Sequence, residues 1–149
     1  QNRDFEATNL LRDDETLGWA VDGNELAGQR LLMLIDDEPA QCRLISALAA
    51  REGWRTLVVR DSETAIATLG TRQGMQLNAI ILDQWVPGDE ACSLIAELRS
   101  RRPALPILML TTESSEDKKA AGKAAGAKAW MLKPFSPSSL LAAVTKFCG

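Results

Sequence analysis

The sequence predicts an α/β domain, a doubly wound five-stranded parallel sheet with helices on both faces. Two observations carry this reading. From Leu31 onward, five short apolar runs alternate with stretches of helical periodicity. The runs are nearly continuous, as in strands buried on both faces of a parallel sheet. A third observation is chemical: several runs close on a charged or hydroxyl residue, where such sheets place their ligand sites.

The strands are expected at Leu31–Ile35, Arg55–Val59, Asn78–Leu82, Ile107–Leu110 and Ala129–Leu132. Between the first two, Pro39 to Arg51 reads as a helix with Pro39 near its first position and Leu44, Ile45 and Leu48 facing inward. Ser62 to Leu69 reads as the second helix, capped by Asp61 or Ser62. Glu90 to Arg101 carries Leu94, Ile95 and Leu98 on one face, and Pro103 ends it. Glu113 to Ala125 is rich in Ala and Lys and holds two glycines, which makes it the weakest helix. Ser136 caps the last helix, with Pro137 in its first turn and Leu140, Leu141, Val144 and Phe147 facing inward. Strand and helix in succession call for right-handed crossovers and a doubly wound sheet.

Residues 1–29 stand apart from this alternation. They are acidic, with scattered large apolar residues and glycines at 18, 23 and 28 that oppose one long helix. They read either as a flexible leader or linker, or as a short helix near Glu6 to Arg12 docking through Phe5, Leu10 and Leu11.

Composition narrows the function. The 149 residues suffice for one domain with its own core. A formal net charge of −3 provides no broad basic field, so this chain alone is not expected to bind nucleic acid. Cys42, Cys92 and Cys148 lie far apart without a Cys-x-x-Cys pair, which suits a reducing, cytoplasmic setting. No apolar run approaches the roughly 20 residues of a membrane span. The chain has no histidine, which removes His-dependent triads and His metal sites from its own repertoire.

The strand ends carry the chemistry. Asp36 and Asp37 follow the first apolar run, Asp83 the third, Thr111 the fourth and Lys133 the fifth. With strand order 2-1-3-4-5, the order reverses between the first and third strands, so the acids converge on the one crevice the fold provides. Clustered carboxylates do not all stay ionised without a cation, and all-oxygen ligation favours Mg²⁺. A carboxylate there can attack a phosphoryl group, while Lys133 and Thr111 bind its oxygens. Singly, each residue reads as a cap, a strand end or a solvated lysine. Their joint placement favours function. Asp13-Asp14-Glu15 repeats the letters of Asp36-Asp37-Glu38 but follows no strand, and is set aside.

From Arg30 to Gly149 the chain resembles the receiver domain of two-component response regulators, chemotaxis-type regulators included. The resemblance rests on Leu34-Ile35-Asp36-Asp37-Glu38-Pro39, Ile80-Ile81-Leu82-Asp83 with Pro87-Gly88, Leu110-Thr111, and Ala125-Gly126-Ala127 leading to Leu132-Lys133-Pro134-Phe135. It implies a flavodoxin-like fold and makes Asp83 the phosphoacceptor. It makes Asp36, Asp37, Asp83 and the Trp85 backbone carbonyl the Mg²⁺ ligands, Asp37 rather than Asp36 being the expected direct ligand of the acidic pair, and Lys133 and Thr111 the phosphoryl-binding groups. It also implies a cis Lys133-Pro134 bond and a switch in which Thr111 couples to Trp130. Trp130 reads equally as an aromatic packed on an edge strand. Trp85 is bulky for its place beside the acceptor, and Thr112 stands where many receivers have Ala or Gly.

The resemblance further implies a histidine kinase or histidine phosphotransfer protein as donor. The downstream protein target would dock on the surface of the fourth helix, fifth strand and fifth helix. There Lys118, Lys119, Lys123 and Lys128 make a locally basic patch that either solvates the helix or meets an acidic or amphipathic partner. No independent enzyme is expected beyond self-catalysed phosphorylation and dephosphorylation at Asp83. The alternative is a phosphorelay station in a hybrid histidine kinase, with residues 1–29 as its lead-in. A haloacid-dehalogenase-like phosphatase requires a second Asp where Trp85 stands, and Gly122-Lys123 lacks the Ser or Thr of a P-loop.

Overall fold

The computed structural model describes residues 30–85, 87–88, 90–112 and 115–148. In chain order its elements are β1 (Arg30–Ile35), α1 (Pro39–Arg51), β2 (Trp54–Val59), α2 (Ser62–Leu69), a 3-10 turn (Gly74–Gln76), β3 (Ala79–Asp83), α3 (Ala91–Arg101), β4 (Ile107–Thr111), α4 (Glu116–Ala125), β5 (Ala129–Leu132) and α5 (Pro137–Cys148). The five strands form one parallel sheet in the order β2-β1-β3-β4-β5. The predicted fold class and strand order are both found.

Side-chain alternation divides the core into two layers. Leu31, Met33 and Ile35 of β1 join Ile80, Leu82, Ile107 and Met109 beneath α2 and α3. Leu32, Leu34, Ala79, Ile81, Leu108 and Leu110 pack on the other face against α1, with Leu140 of α5. Every residue of β3 and β4 is buried, which accounts for their uninterrupted apolar runs.

Local chemistry sets the helix ends. Glu38 accepts from the Gln41 N–H at 2.7 Å and Asp61 from the Thr64 N–H at 2.7 Å. The Ser136 hydroxyl accepts from the Ser139 N–H at 3.1 Å, with Pro137 opening α5 as expected. Gly88, at φ +113°, brings the loop after β3 so close to α2 that an added Cβ would lie 1.9 Å from the Ser62 hydroxyl. The Ser62 N–H donates to the Pro87 carbonyl at 3.0 Å, tying that loop down beside the strand ends.

Two expectations need correcting. Leu44 is not inward: it is 48% exposed, because Cys42, Ile45, Leu48 and Ala49 form the buried face and Leu44 lies about 100° round the helix from Ile45. The helix expected over Glu113 to Ala125 begins at Glu116, because Ser115 is extended and caps it, its hydroxyl accepting from the Lys118 N–H at 3.2 Å. Glu113, where that helix was expected to begin, lies outside the described residues. So do residues 1–29 and the side chains of Leu141, Val144 and Phe147, whereas Leu140 is buried as expected.

Candidate functional site

The site is built by strand periodicity continued past the strand ends. Asp36 follows Leu32 and Leu34 on the α1 side of the sheet, and its N–H still donates to Val59 at 2.9 Å. Asp83 follows Ala79 and Ile81 on that same side. Lys133 continues Ala129 and Met131, which also pack there. Three separate strands thus deliver two carboxylates and one ammonium to one place.

Asp83 is 4% exposed and fully engaged. Its Oδ1 accepts from the Trp85 N–H at 2.8 Å. Its Oδ2 accepts from Lys133 Nζ at 2.6 Å and from Gln41 Nε2 at 2.8 Å. Asp36 is 1% exposed; its Oδ1 accepts from the Glu38 N–H at 2.9 Å and its Oδ2 from the same Gln41 nitrogen. Burial pushes the Asp36 carboxyl above its usual range, and the Asp83 charge pushes the same way. The Glu38 N–H, the Gln41 amide and the Lys133 charge oppose the rise.

Asp37 is exposed, and among the described residues no three acidic or cysteine side chains form a ready-made metal cluster. Of the predicted acids, Asp36 and Asp83 are therefore the pair held together here. Trp85 projects its ring into solvent, 62% exposed, while its N–H stays on Asp83. The Lys133-Pro134 bond is cis, as the resemblance implied.

Thr111 sits on the other face. It continues Ile107 and Met109, is 1% exposed, and donates its hydroxyl to Gln84 Oε1. Trp130 lies on that face too, half-buried against the core, with Lys119 Nζ 5.0 Å above its ring centre. Thr111 and Lys133 were expected to act together, and backbone joins them: the Lys133 N–H donates to the Thr111 carbonyl at 2.8 Å. Lys119, Lys123 and Lys128, with Trp130, line a cavity of about 330 Å³ between α4 and β5. Among the described residues, no helix is long and apolar enough to cross a membrane.

Sequence reading missed two residues, Gln41 and Gln84. Gln41 stands one turn before Ile45 on the inner face of α1, so a polar residue in an otherwise apolar stripe was the available signal. Gln84 follows Asp83 and, by alternation, points to the opposite side.

Fold and site together define a doubly wound α/β domain with a buried acidic crevice at its β1/β3 switch point. Residues 32–145 match the family model of the response regulator receiver domain, and the chain belongs to that family. It is 30% identical over 105 residues to the probable transcriptional regulatory protein TcrX of Mycobacterium tuberculosis, covering 70% of this chain and 44% of TcrX. It is 34% identical over 110 residues to protein PetR of Rhodobacter capsulatus, covering 74% of this chain and 45% of PetR. The chain thus spans about half the length of the curated relatives it matches. Among solved structures, the chemotaxis protein CheY4 of Vibrio cholerae superposes with a TM-score of 0.72 at 30% identity, over 80% of this chain and 99% of CheY4. The receiver domain of the sensor histidine kinase PA1611 of Pseudomonas aeruginosa, solved with magnesium in its active-site cleft, shares the fold at a TM-score of 0.71 and 23% identity, over 82% of this chain and 99% of that one.

Proposed function

We propose that Asp83 is a phosphoacceptor, taking a phosphoryl group from the phosphohistidine of a histidine kinase or phosphotransfer protein. The observation that carries this reading is the buried Asp83 carboxylate, paired with Lys133 at 2.6 Å beside a second buried acid. An Asp83 oxygen attacks phosphorus, the P–N bond to the donor imidazole breaks, and the imidazole leaves with a proton from solvent. No base is required, because the nucleophile is already an anion. Lys133 stays on the acceptor side to hold the transferred oxygens.

The crevice also suits a divalent cation. Two buried carboxylates face one ammonium and one neutral amide, so negative charge is incompletely matched; burial raises the Asp36 carboxyl, and the Asp83 charge adds to the rise. Asp36, Asp37, Asp83 and the Trp85 carbonyl are the oxygens that would hold Mg²⁺. Bound there, Mg²⁺ supplies positive charge against the phosphoryl oxygens.

The output side follows from Thr111. To reach a phosphoryl oxygen its hydroxyl must leave Gln84, and Trp130 with Lys119 then repacks along α4 and β5. Such a shift between two packings is worth roughly 1–3 kcal/mol. The basic cavity beside Trp130 fits an acidic or amphipathic segment of a downstream protein. Residues 30–149 form the receiver unit and residues 1–29 its lead-in. A receiver that ends the signal keeps its phosphoryl group from histidine phosphotransfer proteins; one that relays, as in a hybrid kinase, passes it on.

Incubation with acetyl phosphate and Mg²⁺, followed on a phosphate-affinity gel, tests the proposal. The wild-type chain is retarded and Asp83→Asn is not. Retardation that survives Asp83→Asn overturns the assignment.

A further inference from the structure

We infer that Gln41 occupies the cation's seat in the resting protein, its amide nitrogen bridging Asp36 and Asp83 so that a divalent cation must displace it to bind. This rests on reading the crevice as a metal-dependent acceptor site and adds to it a residue that sets the cation affinity.

Gln41 Nε2 carries two hydrogens and no acceptor lone pair, so it can only donate. Both donations go to carboxylate oxygens: Asp36 Oδ2 and, at 2.8 Å, Asp83 Oδ2. One atom within reach of both carboxylates stands where a cation shared by them would stand. The nitrogen offers only partial positive charge, enough to ease repulsion between two buried acids but less than an ion supplies.

The fold holds Gln41 to this task. Its N–H is fixed by the Glu38 cap at 2.7 Å, and one turn later Ile45, 1% exposed, anchors the same face of α1. The side chain therefore reaches the crevice from a rigid helix start and can withdraw by rotating its own torsions. Two consequences follow. Cation binding becomes a competition against the amide, which lowers the apparent affinity. Asp83 Oδ2 also stays capped by both Gln41 and Lys133 until the amide departs.

Gln41→Met keeps the length of the side chain and removes both donors, and Gln41→Ala removes the reach. Titration of each full chain with MgCl₂ by calorimetry, alongside thermal unfolding with and without saturating Mg²⁺, provides the test. Gln41→Met is expected to bind Mg²⁺ about tenfold more tightly, the size of one hydrogen bond to a charged group, and Gln41→Ala shifts the same way. Both variants melt below wild type without Mg²⁺, and the gap narrows when the ion is saturating. Unchanged or weaker Mg²⁺ binding in both variants overturns the inference, as does a melting deficit that Mg²⁺ leaves intact, since Gln41 would then be only structural. Wild type that binds no Mg²⁺ overturns the acceptor-site reading as well. Wild-type binding that Asp83→Asn abolishes, with both Gln41 variants unaltered, upholds that reading and sinks the inference alone.

Discussion

At the carboxyl end of the sheet the two faces hold their polar groups by different physics. On the α1 side, Asp36, Asp83 and Lys133 are charged and mostly buried, and each carboxylate oxygen is met by an amide, an ammonium or a backbone N–H. On the opposite side, Gln84 and Thr111 are neutral and joined by a hydrogen bond, and Trp130 lies half-buried on that same face under Lys119. Moving a group on the first face exposes an uncompensated charge, whereas moving one on the second breaks a neutral hydrogen bond. The first face suits fixed chemistry, and the second suits rearrangement. Backbone connects them, through Lys133 N–H to the Thr111 carbonyl at 2.8 Å and Gln84 N–H to the Leu110 carbonyl at 2.9 Å.

Breaking the charged face is expected to have the largest effect. Lys133→Met leaves Asp83 without its ammonium and should destabilise the metal-free chain by about 1–3 kcal/mol, measured by urea unfolding at neutral pH. Asp36→Asn should act in the opposite direction. The raised native value of Asp36 means that the folded chain binds its proton more tightly than the unfolded chain does. The stability tied to that proton is full below the ordinary value of 3.8 and is lost as pH rises through the raised native value. Without divalent cations, Asp36→Asn therefore melts a few degrees above wild type at neutral pH, and the difference closes as pH falls toward the ordinary carboxylate range.

The neutral face should respond less. Thr111→Val removes the hydroxyl that donates to Gln84 and should cost about 0.5–1.5 kcal/mol by the same unfolding measurement. Lys119→Ala removes the cation over Trp130, with an expected loss of about 0.5–1 kcal/mol and a changed tryptophan emission. If Thr111→Val proves costlier than Lys133→Met, the contrast between the faces is wrong.

Much of this arrangement was legible in the residues. Parallel strands buried on both sides must be apolar throughout, so β1, β3 and β4 appeared as runs with boundaries within a residue of those found. Asp83 and Asp36 were legible because they close two such runs that meet at the switch point, while Thr111 and Lys133 close two more. The glutamines were not, since an amide carries no charge and fits a helix or loop surface equally well. Gln41 acquires meaning only when α1 is seated on the sheet, and Gln84 only when alternation sets it against Thr111. Leu44 was misplaced because a short amphipathic helix with alanines and a cysteine on its inner face leaves the leucine stripe ambiguous. The division of the acceptor groups between two faces also escaped the linear reading, which counts strand ends without regard to their parity.

Receipt of the phosphoryl group by Asp83 underlies every other role proposed for the site. Peptide mapping by mass spectrometry after acetyl phosphate treatment with Mg²⁺, with the acyl phosphate trapped by borohydride reduction, addresses it most directly. Modification is expected at Asp83 alone, dependent on Mg²⁺ and absent from Asp83→Asn. Modification at Asp36, Asp37 or any other residue, with Asp83 intact, would contradict it.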